Sequence, residues 1–319
     1  MSQYMQDIVE RDIVTPPSES ALDTTIASPQ IDTAPLLSEM PDCPGNLTIA
    51  LEVAKKAASL AGEFLQQKQG MVRVLHKKAM RDDLLDADLE AEHIIIDILR
   101  EAFPTDDILS EETEVENFGS ANRWIIDPLD GSFNFQHGYP TFGISISLLI
   151  KNVTTVGVIY LPRLDEMFTA ILGRGAQLNN SPIFVSSTTV LDDAIVHVGD
   201  FAKDGNSRDN KKQIHNMAHL ADAVGRVRMI GTAATDLAYI ACGRADALVV
   251  HNALPWDIEV GGLLMGEAGG TISRFEDKDE AGKSLTVCSN KHIHQALINV
   301  IYEDASPEFG RQRKMKILA

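Results

Sequence analysis

The chain has little of several features that mark particular classes of protein. Of its 319 residues only three are cysteines, Cys43, Cys242 and Cys288, too few and too widely spaced for a disulfide framework or a zinc motif. No apolar run approaches the roughly 18 residues that a membrane-spanning helix needs. We therefore expect reduced thiols, a cytoplasmic location and no membrane segment.

Positive charge is also scarce. The sequence holds 28 Lys and Arg against 46 Asp and Glu, a net charge of −18. A nucleic-acid surface needs clustered basic side chains, so we expect no nucleic-acid partner. An acidic chain can still take a phosphorylated substrate, because bound cations reverse the local field.

Both ends of the chain differ in composition from its middle. Residues 1–45 mix Pro, Ser, Thr and acids without a helical or strand period, which predicts a disordered or extended tail. An arm that binds a partner is an alternative interpretation of this segment. The acidic start lacks an apolar segment, so we expect no secretory signal. Residues 306–319 predict a basic tail.

Two domains are expected between the tails. Apolar residues at helical spacing predict helices over 47–67 and 86–103, and successive strands follow from 123 to 172. This order predicts an N-terminal α+β domain, residues 46–186, with an antiparallel sheet. Strand–helix alternation then predicts a C-terminal α/β domain, residues 187–305.

The stretch "WIIDPLDGSFNF", residues 124–135, sets two carboxylates around a proline after an apolar strand. Pro128 predicts a turn directly after Asp127, and Gly131 permits a positive φ. The two acids repel each other when both are ionised, and a bound cation can offset that repulsion and hold them ionised. Alternatively, they only cap backbone amides of the turn. A helix–loop–helix calcium site does not fit, because Gly138 stands where a bidentate Glu is required.

Two further acidic groups stand at the ends of predicted elements. "ILSEE" carries Glu111, and "LPWDIEVGG" places Asp257 in the first turn of a helix. Alone, Asp257 would simply favour the helix N-terminus and Glu111 would be a solvated loop charge. Together with Asp127 and Asp130 they predict a ligand crevice, since such crevices form at element ends.

The segments "SEE", "WIIDPLDGSFNF" and "PWDIEVGGLLMGEAGG", in this order, resemble the three signatures of the inositol monophosphatase family. Its members are magnesium-dependent, lithium-sensitive phosphomonoesterases related to fructose-1,6-bisphosphatases. "DLEAE", "HGYPTFGISISLL" and "GTAATDLAYIACGRADA" agree with the family as well, and the likeness extends from about 47 to 302. It implies an α+β fold of five layers, αβαβα, with a metal crevice between the domains, and a homodimer.

The resemblance also implies roles for individual residues. One Mg²⁺ would be held by Glu111, Asp127 and the Leu129 carbonyl, and a second by Asp127, Asp130 and Asp257. Asp88 would assist a third ion alongside Glu111. Glu111 and Ser132 would orient or deprotonate the attacking water. Contacts to phosphate or substrate would come from the positions Asp130, Gly131, Ser132, Gly231, Thr232, Ala233 and Val250, although "GTAA" at 231–234 is equally well explained as a helix cap.

Some positions depart from the family pattern. Ser110 stands where Gly is usual, Leu85 replaces a common Thr, and Ser132 replaces Thr while keeping the hydroxyl. Glu259 occupies a place usually taken by a small residue. Inositol-selective members have an acid at the position of Val250, and a valine cannot accept a hydrogen bond, so we expect a different or broader alcohol.

The sequence therefore predicts an Mg²⁺-dependent phosphomonoesterase with two to three ions per site, acting on a small polyol or sugar phosphate. A nucleotide 3′-phosphatase, a histidinol-phosphate phosphatase and a fructose-1,6-bisphosphatase are alternatives of the same reaction class. An alternative of another class is a regulatory binding protein with a secondary phosphatase site and residues 1–45 as its arm.

Overall fold

The computed structural model describes residues 44–79, 82–113, 119–202, 205, 207–277, 283–302 and 315–316. Most of the tail predicted over 1–45 lies outside the described residues, as does most of the tail predicted over 306–319. Residues 44 and 45 open the first helix instead of closing the tail. Residues 315–316 form a short strand.

Helices form where the apolar spacing is helical, and the two helices predicted in the N-terminal half are confirmed. Proline ends the second of them, since Pro104 follows two residues after its last residue. The helices of the described chain are α1 (Pro44–Lys68), α2 (Asp86–Ala102), α3 (Ser132–Gln136), α4 (Ser207–Ala223), α5 (Ala233–Ala241), α6 (Pro255–Glu267) and α7 (His294–Tyr302).

Two short strands that we did not predict precede α2. They are β1 (Val74–Ala79) and β2 (Asp82–Leu85), and they pair antiparallel as a separate two-stranded sheet. Most side chains of β1 are exposed, so this ribbon lacks the buried alternation that reveals a strand in a sequence.

The first large sheet has seven strands arranged in the order of the sequence. The predicted antiparallel pairing holds from β4 to β9 but is wrong for the first pair, because β3 runs parallel to β4. The strands are β3 (Asp107–Ser110), β4 (Asn122–Asp130), β5 (Gly143–Ile150), β6 (Val153–Leu161), β7 (Glu166–Ile171), β8 (Ala176–Leu178) and β9 (Ser181–Pro182).

Strand β4 continues past the proline at which we expected it to end. Its pairing with β5 shifts register between Asp127 and Asp130, and Pro128 lies inside that irregularity. A proline has no N–H to give to a ladder, so a bulge is where a strand tolerates it. The turn comes three residues later than predicted, at Gly131, which has φ of 91°.

The second large sheet has the strand order β11-β10-β12-β14-β13-β15. Strands β10, β11 and β12 are parallel, whereas β14 is antiparallel to both β12 and β13. We did not predict β14, which is buried along its whole length although four of its seven residues are polar. The strands are β10 (Ile195–Val198), β11 (Arg226–Arg228), β12 (Ala247–His251), β13 (Gly270–Glu276), β14 (Ser284–Asn290) and β15 (Met315–Lys316).

Three apolar cores separate five layers of structure. The first joins α1 and α2 to one face of the first sheet, around Trp124 and Ile146. The second joins the opposite face to α5 and α6, which also contact the second sheet. The third lies between the second sheet and α7 with part of α4. The predicted αβαβα arrangement is therefore confirmed.

Helix α6 lies deep between the two large sheets because two glycines give it room. A Cβ on Gly261 would lie 2.7 Å from the Leu237 Cβ of α5, and one on Gly157 would lie 2.9 Å from Cγ1 of Val260. This packing fixes the N-terminus of α6 beside the end of β4. In the described part of the chain, none of the helices combines the length and apolarity that crossing a membrane requires.

Candidate active site

Four carboxylates from three parts of the fold interact at one place. Asp127 is almost wholly buried, with 1% of its surface exposed. That burial, followed by repulsion from Glu111, Asp130 and Asp257, raises the pKa of Asp127 well above its usual range. The structure therefore brings within electrostatic reach four of the five acids that the sequence analysis assigned to metal ions.

Strand pairing places Glu111 next to Asp127. The Glu111 backbone N–H donates to the Ile126 carbonyl at 3.2 Å, which extends the parallel β3–β4 pairing by one residue. The Glu111 side chain is largely buried and lies 3.5 Å from the Lys78 ammonium, which also pairs with Glu112 at 2.6 Å.

A direct contact ties Asp130 to the start of α5. Its Oδ2 accepts hydrogen bonds from the Thr232 hydroxyl at 2.6 Å and from the Ala234 N–H at 2.5 Å. Thr232 is also the N-cap of α5, since its Oγ1 accepts from the Thr235 N–H at 3.2 Å. The 231–234 segment thus does cap its helix, and the same segment holds a site carboxylate.

Asp257 occupies the first turn of α6, where the helix dipole favours an acid. The Leu254 N–H donates to its Oδ2 at 2.7 Å, and Pro255 opens the helix, as prolines commonly do. One carboxylate oxygen is thereby fixed, and the position of the group follows the position of α6.

Asp88, Ser132 and Leu129 form a chain of polar contacts behind the four acids. Asp88 Oδ2 accepts from the Leu85 N–H at 2.6 Å, and its Oδ1 lies 3.1 Å from the Ser132 hydroxyl. That hydroxyl lies 2.9 Å from the Leu129 carbonyl oxygen. Burial chiefly, with repulsion from Glu112, raises the pKa of Asp88 to about 7. A hydroxyl has one proton, so a proton on Asp88 lets both contacts be hydrogen bonds.

Gly131 brings the bulged end of β4 against the loop before α5. A Cβ there would lie 3.2 Å from the Thr232 Cβ and 3.4 Å from the Gly231 carbonyl oxygen. A side chain at position 131 would therefore crowd the loop before α5, and the positive φ also favours glycine here.

The remaining substrate candidates lie near this loop and on the neighbouring strand. Ala233 is the first residue of α5. Val250, on β12, is half-buried, and a Cβ on Gly199 would lie 2.7 Å from its Cγ2. The predicted substrate contacts at 231–233 and 250 thus lie at the start of α5 and on β12, both in the C-terminal half of the chain.

Several residues at the site had not been singled out from the sequence. Glu92 is fully buried and accepts from the Thr113 N–H at 3.1 Å and the Thr113 hydroxyl at 3.0 Å. Its signal was available, because it lies one helical turn after Asp88 on the same face. Lys78 gave no such signal in the sequence, since it belongs to the β1–β2 ribbon that we did not predict. Burial also raises the pKa of Glu112, against the opposing effect of Lys78.

The structure also accounts for Glu259, the departure in α6. The Thr154 hydroxyl of β6 donates a hydrogen bond to its Oε2. A carboxylate at this position thus joins α6 to the first sheet, which a small residue could not do.

The donors suit a hard divalent cation. All are carboxylate or carbonyl oxygens, the ligands that Mg²⁺ prefers, and a buried carboxylate among like charges is costly without a cation. As the side chains stand, no group of three or more His, Cys, Asp or Glu in the described chain is arranged to hold a metal ion. The donor set and its charge fit Mg²⁺, and the mutually repelling acids would draw together on binding it.

Comparison with known proteins agrees with this geometry. Residues 46–305 match the inositol monophosphatase family. An inositol-1-monophosphatase of Synechocystis sp. is 36% identical over 274 residues, which is 84% of this chain and 93% of that protein. The chain belongs to the inositol monophosphatase family.

Other relatives of this family member carry a different kind of name. The Nus factor SuhB of Pseudomonas aeruginosa is 36% identical over 268 residues, 82% of this chain and 98% of that protein. The crystal structure of the extragenic suppressor protein suhB of Bartonella henselae superposes with a TM-score of 0.74 at 33% identity, covering 80% of this chain and 99% of that one. Membership of the inositol monophosphatase family makes the chain a phosphoric monoester hydrolase.

Proposed function

We propose that this family member hydrolyses the phosphate ester of a small polyol or sugar with the help of Mg²⁺. The observation that carries the proposal is the convergence of Glu111, Asp130 and Asp257 on the buried Asp127. Like charges gathered around a buried acid need a cation, and a phosphate monoester brings more negative charge to the same place.

Two to three ions would be held by residues already placed. Glu111, Asp127 and the Leu129 carbonyl would form one ligand set, and Asp127, Asp130 and Asp257 a second, with Asp88 assisting a third ion. When bound, the ions would neutralise the acids, attract the phosphate and make a nearby water more acidic.

The protein's own groups would handle the proton of the attacking water. The Ser132 hydroxyl touches both Asp88 and the Leu129 carbonyl, so Ser132 Oγ can accept the proton of the water while its own proton passes to Asp88, which must be ionised to accept it. A buried carboxyl with a pKa of about 7 exchanges protons near neutral pH. Glu111, from the neighbouring strand, would orient the same water.

The phosphate and the alcohol would lie on the two sides of the Gly131 turn. The first N–H groups after such a turn have no intrahelical partner, so those of Gly131 and Ser132 are suited to phosphate oxygens. The alcohol would lie towards Gly231, Thr232 and Ala233 with Val250 beyond. A valine offers no acceptor to a hydroxyl, which favours an alcohol other than inositol or a broader range.

Further properties proposed for the chain follow from the family resemblance. We expect inhibition by lithium, a homodimer, as two-fold assemblies are the commonest oligomers, and a cytoplasmic location. Two of the three cysteines, Cys242 and Cys288, are free. Light scattering at several concentrations would test the dimer, and a monomer throughout would contradict it.

The test of the proposed function is phosphate release from a panel of polyol, sugar and nucleotide monoesters at varied Mg²⁺. We expect release that requires Mg²⁺, is greatest on a polyol or sugar ester, and falls by at least about a hundredfold in Asp127→Asn. The exposed Asp193→Asn is the matched control and should behave as the wild type. Near wild-type turnover by Asp127→Asn would show that the acids are not the catalytic centre.

A second candidate is a regulatory binding function, supported by the likeness to a protein named Nus factor SuhB. The discriminating experiment replaces the gene in its host with the Asp127→Asn version. If the variant rescues a strain that lacks the gene as fully as the wild type does, the function that the host needs is separable from hydrolysis. If it fails while Asp193→Asn succeeds, catalysis is the function that the host needs.

A further inference from the structure

Two histidines lie close together on the surface of α4, a helix that carries none of the proposed catalytic residues. His215 and His219 are one helical turn apart, with His215 exposed and His219 half-buried. Their Nε2 atoms lie 3.2 Å from each other, and the two rings stand edge to face with centroids 4.4 Å apart. One turn of the helix therefore brings the two Nε2 atoms within hydrogen-bond distance of each other.

The spacing of the two nitrogens matches that of two ligands on one transition-metal ion. Imidazole binds zinc at about 2.0–2.1 Å, so an ion equidistant from nitrogens this far apart would subtend an angle of roughly 100°. That angle lies between the ideals for octahedral and tetrahedral coordination. In the absence of an ion the same distance accommodates one hydrogen bond between neutral rings, so the geometry needs little adjustment to accept a metal.

We propose that His215 and His219 form a surface site for a first-row transition ion such as Zn²⁺ or Ni²⁺. Imidazole nitrogen suits these ions, whereas Mg²⁺ prefers oxygen, so the pair is chemically distinct from the acidic site. No third protein ligand of the described chain is in place, and water completes the coordination. The net charge of −18 adds a general attraction for cations.

The test is equilibrium dialysis of the full chain against Zn²⁺ in a large excess of Mg²⁺, which occupies the oxygen ligands. The variants are His215→Asn and His219→Asn, and the control is His93→Asn, which removes an exposed histidine from α2. We expect the wild type and the control to bind one Zn²⁺ more than either variant, whose affinity for that ion falls at least about tenfold.

A second measurement follows the stability of the chain. An ion that binds only the folded state raises the melting temperature, so Zn²⁺ should stabilise the wild type and His93→Asn but not the two α4 variants. Metal binding requires unprotonated imidazole, so the effect should weaken as the pH falls. Phosphate release in Mg²⁺ alone should be unaffected by all three substitutions.

Equal Zn²⁺ binding and equal stabilisation in the wild type and both α4 variants would overturn the proposal and leave the pair as a hydrogen bond between two rings. Loss of the extra ion in His93→Asn as well would also overturn it, because the ion would then not depend on α4. Circular dichroism of each variant would establish that the helix content is unchanged.

Discussion

The carboxyl group of Asp127 lies where burial and neighbouring acids disfavour its ionised form. It is buried, it lies near three other acids, and the Leu129 N–H donates a hydrogen bond to its Oδ1 at 3.1 Å, which favours the ionised form. A group in this position destabilises the metal-free fold, and functional sites commonly carry such a cost.

Replacing Asp127 by Asn should therefore stabilise the metal-free protein while abolishing activity. The amide keeps the shape and removes the charge, so we expect a gain of about 1 kcal/mol or more in the free energy of unfolding at neutral pH. Urea unfolding in the presence of a chelator measures it. A variant less stable than the wild type would show that the charge of Asp127 is compensated inside the metal-free fold.

Val250→Glu tests the proposed alcohol side of the site. A carboxylate there can accept hydrogen bonds from substrate hydroxyls, so kcat/KM for an inositol phosphate should rise about tenfold relative to that for glycerol phosphate. Val250→Gln, of equal length and neutral, should give a smaller change in the same direction. An unchanged ratio of the two substrates in both variants would place Val250 away from the alcohol.

Single residues divide clearly into those that the sequence revealed and those that it did not. Asp127, Asp130 and Asp257 stand out because acids beside Pro, Gly or Trp at element ends are unusual. Lys78 reaches the site through tertiary contacts alone, and nothing in its local sequence marks it. Glu92 could have been found, because it lies one helical turn after Asp88 on the same face of α2. The bond from Thr232 to Asp130 joins residues 102 positions apart, which no local pattern could indicate.

Among the elements, α6 has side-chain hydrogen bonds at three points along its length. Asp257 binds the backbone at its start, and Glu259 accepts from Thr154. At its end, Glu267 accepts from the N–H groups of Gly173 and Gly175, each at 2.6 Å. The contacts of Glu259 and Glu267 connect this helix, which carries a site carboxylate, to the first sheet.

Glu267→Ala should loosen that connection. The loss of two hydrogen bonds to a charged acceptor should cost about 1–3 kcal/mol of stability, and the looser α6 should lower kcat/KM through Asp257. Urea unfolding and phosphate release measure the two effects. Glu101→Ala, at an exposed position on α2, is the control. An effect of Glu267→Ala no larger than that of the control would mean that α6 is held by its apolar packing alone.

Helices and strands could be predicted where their apolar residues recur at a regular spacing. They could not be predicted where polar residues are buried in the core. The helices α1 and α2 have clear stripes, as their buried alanines, isoleucines and leucines show. Strand β14 places Ser284, Thr286 and Ser289 in the interior, so its sequence reads as a loop. The bulge in β4 depends on pairing with β5, and Pro128 alone suggested a turn instead.

At the scale of the whole molecule, buried carboxyls govern how stability depends on pH. Burial chiefly raises the pKa of Asp88 to about 7 and that of Asp236 to about 6, and burial with repulsion raises that of Asp127. Each group has a folded-state pKa above its unfolded value. The stability it contributes is therefore complete below the unfolded value of 3.8 and is lost as the pH rises through the folded one.

The metal-free protein should accordingly lose stability between about pH 4 and pH 7. His294 opposes this trend, because burial lowers its pKa to about 4. Comparing melting temperatures with and without Mg²⁺ at each pH cancels the contributions of His294 and Asp236. We expect the stabilisation by Mg²⁺ to grow as the pH rises, since ions favour ionised carboxylates. A stabilisation independent of pH would contradict the proposed ligands.

The five-layer architecture followed from the resemblance to a family rather than from the order of elements. Strand and helix periods indicate what each segment becomes, but they do not say that α5 and α6 lie between two sheets. That placement depends on close contacts, such as those of Gly157 and Gly261 with Val260 and Leu237. These contacts join segments far apart in the chain, beyond the reach of local patterns.

The central claim, that Asp127 and its neighbouring acids bind divalent cations, is tested most directly by counting the ions. Equilibrium dialysis of the metal-free chain against Mn²⁺, a close substitute for Mg²⁺, should show two to three bound ions in the wild type and in Asp193→Asn. Asp127→Asn should lose at least the ions that this carboxylate bridges. Equal binding by the wild type and Asp127→Asn would contradict the account.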